Sequence, residues 1–210
     1  MDQDITRQLF DAMSTNYDNS ERVYIANQIS YKIKSLLNDT KSKTALEVGS
    51  GTGLVGLSLI NEFESITLND ISECMLKVID EKIKNFNIVN VKTNNYNYLN
   101  IEKDSQKFDY IFVIQTLLHI KDTKKCLESL SRRLNDDGHL IIIDYVINNK
   151  VKNERIHNGF DREQLVKILE ENLLEIKTND MFLKDRVALT GIKASLFVIE
   201  ATNKKRIIIV

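Results

Sequence analysis

The chain has 210 residues, 42% of them apolar and 28% charged, with a formal net charge of -1 and a pI near 6.3. That size suits one domain burying roughly 70% of its unfolded surface, and the near-zero charge excludes a broad cationic surface for wrapping nucleic acid. No apolar stretch approaches the ~18 residues of a membrane span, the first residues are polar and acidic, unlike a secretion signal, and Cys74 and Cys126 have neither disulfide nor metal spacing. A cytoplasmic location with buried free thiols is expected.

Residues 5–37 read as helical. Ala26, Ile29, Ile33, Leu36 and Leu37 form one apolar stripe, and Leu9, Phe10 and Met13 a shorter one. Ser14 to Asn19 is a polar break between them. Short strands and helices then alternate. Strands are predicted near 44–48, 65–69, 88–92, 108–114 and 139–144, and helices at 54–62, 73–85 and 123–134. The runs Tyr110 to Ile114 and Leu140 to Ile143 are unbroken and rich in β-branched residues, as parallel strands covered on both faces are. This alternation predicts an α/β doubly wound sheet. Asp161 is the expected N-cap of a further helix, with Gln164 as its reciprocal partner and Phe160 and Leu165 as the staple. Strands near 174–182 and 194–201 follow without a helix between them, which predicts an antiparallel pair at the sheet edge. The apolar end, 204–210, reads either as an added edge strand or as the contact of a homodimer; its short basic run, Lys204, Lys205 and Arg206, reads as a solvated tail.

Four of the seven glycines, Gly49, Gly51, Gly53 and Gly56, lie within eight residues. Dense glycine marks a tight turn or the close approach of a ligand. Two patterns fit. Gly51-x-Gly53-x-x-Gly56 matches a dinucleotide fingerprint, and Glu47-x-Gly49-x-Gly51-x-Gly53 matches a loop for S-adenosylmethionine. Charge separates them. A dinucleotide sets a pyrophosphate against such a loop, and the Glu47 carboxylate would repel it. S-adenosylmethionine brings an ammonium and a sulfonium instead. Opposite charges ~4 Å apart are worth about 4 kcal/mol at an effective dielectric of about 20, before desolvation. Asp70, about twenty residues past the loop, can accept both ribose hydroxyls of either ligand. None of the seven tyrosines has a lysine four positions later, so the Tyr-x-x-x-Lys of short-chain dehydrogenases is missing.

On these residues the chain resembles small class I S-adenosylmethionine-dependent methyltransferases. Ala45 to Gly53 resembles their first motif, and Leu68-Asn69-Asp70-Ile71-Ser72 with Met75 their acidic second motif. Asn95-Tyr96-x-x-Leu99 stands where the family has an Asp-Ala-x-x-Leu contact with adenine. Phe108 to Ile120 resembles the fourth strand and its loop, and Arg133 to Leu140 the turn before strand five. Phe10-Asp11 to Tyr17-Asp18 resembles the N-terminal segment that covers the cofactor. The resemblance implies a Rossmann-like seven-stranded sheet of order 3-2-1-4-5-7-6 with the last strand antiparallel. It implies one domain, with a helical cap over 1–40, a core over 41–203 and a tail over 204–210. It assigns the cofactor to Tyr17, Glu47, Gly49, Ser50, Gly51, Gly53, Asp70, Ile71, Asn95, Tyr96 and Gln115.

Methyl transfer from a sulfonium needs alignment above all, and a base only where the acceptor must lose a proton. His119 and His157 are the candidate catalytic bases, since histidine titrates in the useful range. His139, at a turn into a strand, is expected to be structural. Asp144 and Tyr145, at the end of strand five, are candidates to line the acceptor pocket. The expected acceptor is a small molecule, with no metal, no nucleic acid and no membrane. The competing functions are a non-catalytic cofactor-binding interaction subunit and an NAD(P)-dependent oxidoreductase.

Overall fold

The computed structural model describes residues 3–98 and 106–204, so Leu99 of the third motif and residues 205–210 of the apolar tail lie outside the described residues. The strands follow the order β3-β2-β1-β4-β5-β7-β6 in one seven-stranded sheet, as expected. The chain divides into two compact units, residues 1–97 and 98–210, which are taken in turn.

In the first unit, α1 (Gln3–Met13) and α2 (Ser20–Lys34) flank a 3-10 turn, Ser14–Asn16, where the polar break was predicted. The Asn19 side chain caps α2 by accepting the Arg22 N–H. Ile25, Ala26, Ile29 and Ile33 form its buried stripe. The helix stops at Lys34, short of the predicted 37; Ser35 turns its hydroxyl back onto the Lys32 carbonyl, as serine does near helix ends. Strands β1 (Thr44–Val48) and β2 (Ser65–Asn69) pair in parallel from Thr44↔Ser65 to Val48↔Asn69. Helix α3 (Glu73–Asn85) has the predicted bounds, and Ser72 caps it by accepting the Met75 N–H.

Two predictions here need correction. Strand β3 is Val91–Asn94, three residues later than read. Asn87 ends the α3 turn in the left-handed region (φ 51°) and Val89 points into solvent. Asn90 donates to the Ile60 and Phe63 carbonyls, and pairing starts only at Ile66↔Val91. The helix expected over 54–62 is instead a 3-10 turn, Gly56–Leu59. A glycine inside a helix costs about 1 kcal/mol relative to alanine, and the Ser58 hydroxyl bonds back to the Val55 carbonyl. Gly56 is there for space: a Cβ on it would overlap Glu47 Oε2 and Leu68 Cδ2.

In the second unit, β4 (Phe108–Ile114) pairs in parallel with β5 (Leu134–Tyr145). Helix α4 (Thr123–Ser131) ends three residues before the predicted 134, because Leu134 already pairs with Phe108. The expected turn before strand five is a bulge within β5. Pairing jumps from Phe108↔Leu134 to Tyr110↔His139, Asp137 is left-handed (φ 58°), and a Cβ on Gly138 would sit 2.9 Å from the Asn135 carbonyl oxygen. His139 is structural as expected: it stacks on Tyr110 with ring centroids 4.6 Å apart and lies 2.8 Å from Glu200. Strands β6 (Leu174–Leu189) and β7 (Ile192–Asn203) form the predicted antiparallel hairpin, longer than read, with β7 also antiparallel to β5.

Helix α5 (Arg162–Glu171) starts where Asp161 Oδ1 accepts the Glu163 and Gln164 N–H groups. Asp161→Ala is expected to lower unfolding stability by about 1 kcal/mol in urea titrations, the ordinary cost of a lost cap. Unchanged stability would show that the cap does not support α5.

Candidate functional site

The glycine turn follows β1 directly. Gly49, Gly51 and Gly53 all lie in the left-handed region, with φ of 70°, 54° and 78°, so any other residue would strain the turn. Ser50 N–H binds the Asn69 carbonyl at 2.8 Å, and Gly53 N–H closes onto the Ser50 carbonyl at 2.9 Å. The turn is thereby tied to the carboxyl end of β2.

Glu47 lies beneath this turn. It is only 3% exposed, and the Gly56 N–H donates to its carboxylate. Glu47 Oε2 and Ser50 Oγ are buried without a hydrogen-bond partner among the described residues. Burial first, and the nearby Asp70 charge to a smaller degree, push the Glu47 carboxyl up to about 8. Asp70 is itself 8% exposed. Its Oδ2 accepts the Gly51 N–H at 2.8 Å and its Oδ1 the Ser72 N–H at 2.9 Å, which leaves acceptor capacity on each oxygen. Burial raises its pKa against these bonds.

The N-terminal segment packs onto the turn. The Tyr17 ring lies 3.6 Å from where a Gly51 Cβ would stand. The Arg22 guanidinium covers that ring at 4.2 Å from its centroid and donates to the Tyr17 carbonyl at 3.0 Å. Lys82 binds both Asp18 Oδ2 and the Thr52 carbonyl, each at 2.7 Å, while Thr52 donates to Asp18. Ser72 donates to Asp11 at 2.6 Å, which holds the Asp11 carboxyl below its usual range. Beside the turn, the Asn69 amide donates to Asn94 Oδ1 at 2.7 Å and to the Tyr96 carbonyl at 2.9 Å. This fixes the segment that carries exposed Asn95 and half-buried Tyr96. Ile71, half-buried, lies between Asp70 and Ser72. The first unit thus brings together every predicted cofactor residue except Gln115. Arg22, Lys82 and Asn69 carry no mark of this organising role in the sequence, although Tyr17, Ser50 and Tyr96, which Arg22 and Asn69 hold, do stand out there.

Gln115 belongs to the second unit, just past β4. It is held left-handed at φ 48° by its N–H to the Ile143 carbonyl (2.7 Å) and by its amide donating to Tyr145 Oη (2.7 Å). Tyr145 in turn donates to the Ala188 carbonyl. Asp144 is fully buried and accepts backbone N–H groups of Thr116, Leu117, Leu118 and Tyr145. It caps the 3-10 turn Leu117–His119, while burial pushes its carboxyl up to about 7. The two predicted bases sit differently. Burial first, and the nearby His157 second, push His119 down to about 4. His157 Nε2 lies 2.8 Å from the Ile120 carbonyl, an acceptor only, so that nitrogen carries a proton and holds the ring in place.

The profile of a protein family described as a methyltransferase domain matches residues 39–187. Among curated proteins, the ubiquinone/menaquinone biosynthesis C-methyltransferase of Escherichia coli O1:K1 is 29% identical over 109 residues. That match takes in 50% of this chain, and the chain spans 43% of the length of the relative. Among solved structures, a SAM-dependent methyltransferase from Aquifex aeolicus superposes with a TM-score of 0.71 at 19% identity, covering 92% of this chain and 98% of its own. Magnesium protoporphyrin IX methyltransferase from Synechocystis PCC 6803, solved with bound SAH, superposes with a TM-score of 0.74 at 14% identity, covering 97% and 100%. These likenesses establish the fold.

With its pKa near 4 in the folded chain against about 6.5 unfolded, His119 gives up stability as pH falls from about 6.5 towards 4, because the unfolded chain takes its proton first. Its ring resonances are expected to keep neutral-imidazole positions by NMR at physiological pH and to shift only near pH 4. A midpoint near 6.5 would contradict this placement.

Proposed function

Because the chain belongs to the methyltransferase domain family, we propose that it is an S-adenosylmethionine-dependent methyltransferase whose acceptor is a small molecule. One observation carries the choice of donor. Beneath a turn built from left-handed glycines lies a buried carboxylate, that of Glu47, with an unpartnered oxygen and no cation among the described residues to pair with it. The residues present fit a ligand that brings positive charge, and disfavour one that brings phosphate. S-adenosylmethionine supplies an activated methyl on a sulfonium.

The chain's own residues then hold and orient. Gly49, Gly51 and Gly53 hold the left-handed turn that presents backbone to the ligand. Glu47 and Ser50 offer the unpartnered acceptor and hydroxyl to the amino-acid end. Asp70 keeps acceptor capacity for the ribose hydroxyls while its bonds to Gly51 and Ser72 fix its position. Tyr17, locked by Arg22, covers the turn. Ile71, Asn95 and Tyr96 flank the adenine end, with Asn69 fixing the last two. Within the second unit, Tyr145 fixes Gln115.

A neutral, weakly basic His119 and a tethered His157 suit an acceptor that is nucleophilic without help, such as an amine, a thiolate or a stabilised carbanion. An unactivated hydroxyl would need a stronger base. The reading includes a cytoplasmic site of action, a reducing compartment that suits the free thiols Cys74 and Cys126. No helix among the described residues is long and apolar enough to cross a membrane.

Calorimetry is expected to show saturable S-adenosylhomocysteine binding and no response to NAD(P). The reverse would sink the donor assignment. Gly51→Ala should weaken this binding about tenfold, because alanine adds ~1–2 kcal/mol of left-handed strain to the turn and sets its Cβ against the Tyr17 ring that covers it; unchanged affinity would mean that the turn holds something else. Incubating the protein with labelled methyl donor and a metabolite extract tests turnover. Label on a low-molecular-weight product is expected, and label only on protein or nucleic acid would overturn the acceptor class.

A further inference from the structure

The environment of Glu47 is short of positive charge. Its carboxylate receives one backbone N–H, from Gly56, and packs against Leu68; Oε2 has no partner. The charged group it senses is another acid, Asp70 at the end of β2, which in turn senses Asp11 of α1. The cations near this region are already engaged: Arg7, which acts on Asp11, pairs with Asp4. Arg22 covers the Tyr17 ring and binds its carbonyl, and Lys82 binds Asp18 and the Thr52 carbonyl. A buried carboxylate with no counter-charge keeps its proton, and burial pushes this one up to about 8.

A ligand that brings an ammonium to this carboxylate reverses the balance. We infer that binding of the amino-acid end of the methyl donor, or of its product, expels the proton carried by Glu47, so that ligand binding at this turn is coupled to proton release. The inference rests on the donor assignment above. The proton leaves Glu47 for the buffer, the carboxylate becomes the counter-ion of the ligand ammonium, and no other bond changes. Because the free site binds one proton more than the complex, affinity must rise with pH below the free-site value and level off above it. Neutral nucleosides that lack the ammonium escape this coupling, which makes Glu47 a filter for charge as well as a contact.

Calorimetry in two buffers of different ionisation enthalpy tests this, with S-adenosylhomocysteine as the charged probe and 5′-methylthioadenosine as the neutral one. For S-adenosylhomocysteine, about one proton should be released per site near pH ~7, and affinity should rise nearly tenfold per unit from about pH 6 to about pH 7.5. 5′-Methylthioadenosine should release none and bind with no pH slope. Glu47→Gln should remove both the release and the slope for S-adenosylhomocysteine. Binding of S-adenosylhomocysteine by the unaltered chain without proton release overturns the inference, and so does release that persists in Glu47→Gln, which would move it to Asp70. Should Glu47→Gln fail to fold, the contrast between the two probes on the unaltered chain decides alone. If neither probe binds, the donor assignment falls and takes this inference with it; if both bind with no difference in proton release, only the inference falls.

Discussion

A carboxylate buried beneath a turn of left-handed glycines is the constraint on which the first unit depends. Glu47 occupies the space that a Cβ on Gly56 would need, so residue 56 must be glycine, a poor helix former, at the start of the 3-10 turn. The turn above it is fixed by Asp70 through the Gly51 N–H and by Asn69 through the Ser50 N–H. Asp11 and Asp18 then anchor the N-terminal segment through Ser72, Lys82 and Thr52. Sequence order is thereby converted into a layered site, in which β1 supplies the buried acid, the turn supplies bare backbone, and residues before β1 supply the cover.

The second unit handles a buried carboxylate differently. Asp144 is as deeply buried as Glu47, but four backbone N–H groups converge on it. Its hydrogen-bonding capacity goes into shaping the turn that carries His119 and follows Gln115. Removing a charge from water costs several kcal/mol unless hydrogen bonds or an opposite charge compensate. Asp144 is compensated from within the chain, which marks it as a positioning group. Glu47 has one backbone N–H and an open oxygen, and it is this open oxygen on which the proposed ligand contact rests. The contrast is between an acid satisfied by backbone N–H groups and one left with an open oxygen.

Much of this was legible in the sequence, and the failures have physical causes. Strands β1, β2 and β4 and helix α3 were readable to the residue because apolar runs and a serine cap mark both ends locally. The sign of charge at Glu47 was legible too, and the unpartnered buried Oε2 supports the cationic ligand read from it. The 54–62 segment misled because its apolar spacing suits a helix, whereas what decides it is the tertiary contact of Gly56 with Glu47 and Leu68. Strand β3 shifted because Asn87 and Asn90 act through backbone geometry and long-range carbonyls. His119 was singled out by residue type alone, and the burial that pushes it down to about 4 leaves no local pattern. Arg22 acts across a non-periodic turn and Asp144 across adjacent strand ends, neither of which leaves a local pattern.

The central claim is that the glycine turn, Glu47 and Asp70 together hold the methyl donor. Hydrogen exchange with and without saturating S-adenosylmethionine measures this most directly. Slowed exchange is expected in peptides covering 47–56 and 66–75, together with the segment around Tyr17. Saturating ligand that leaves those amides unprotected, or protects only segments elsewhere in the chain, would contradict it.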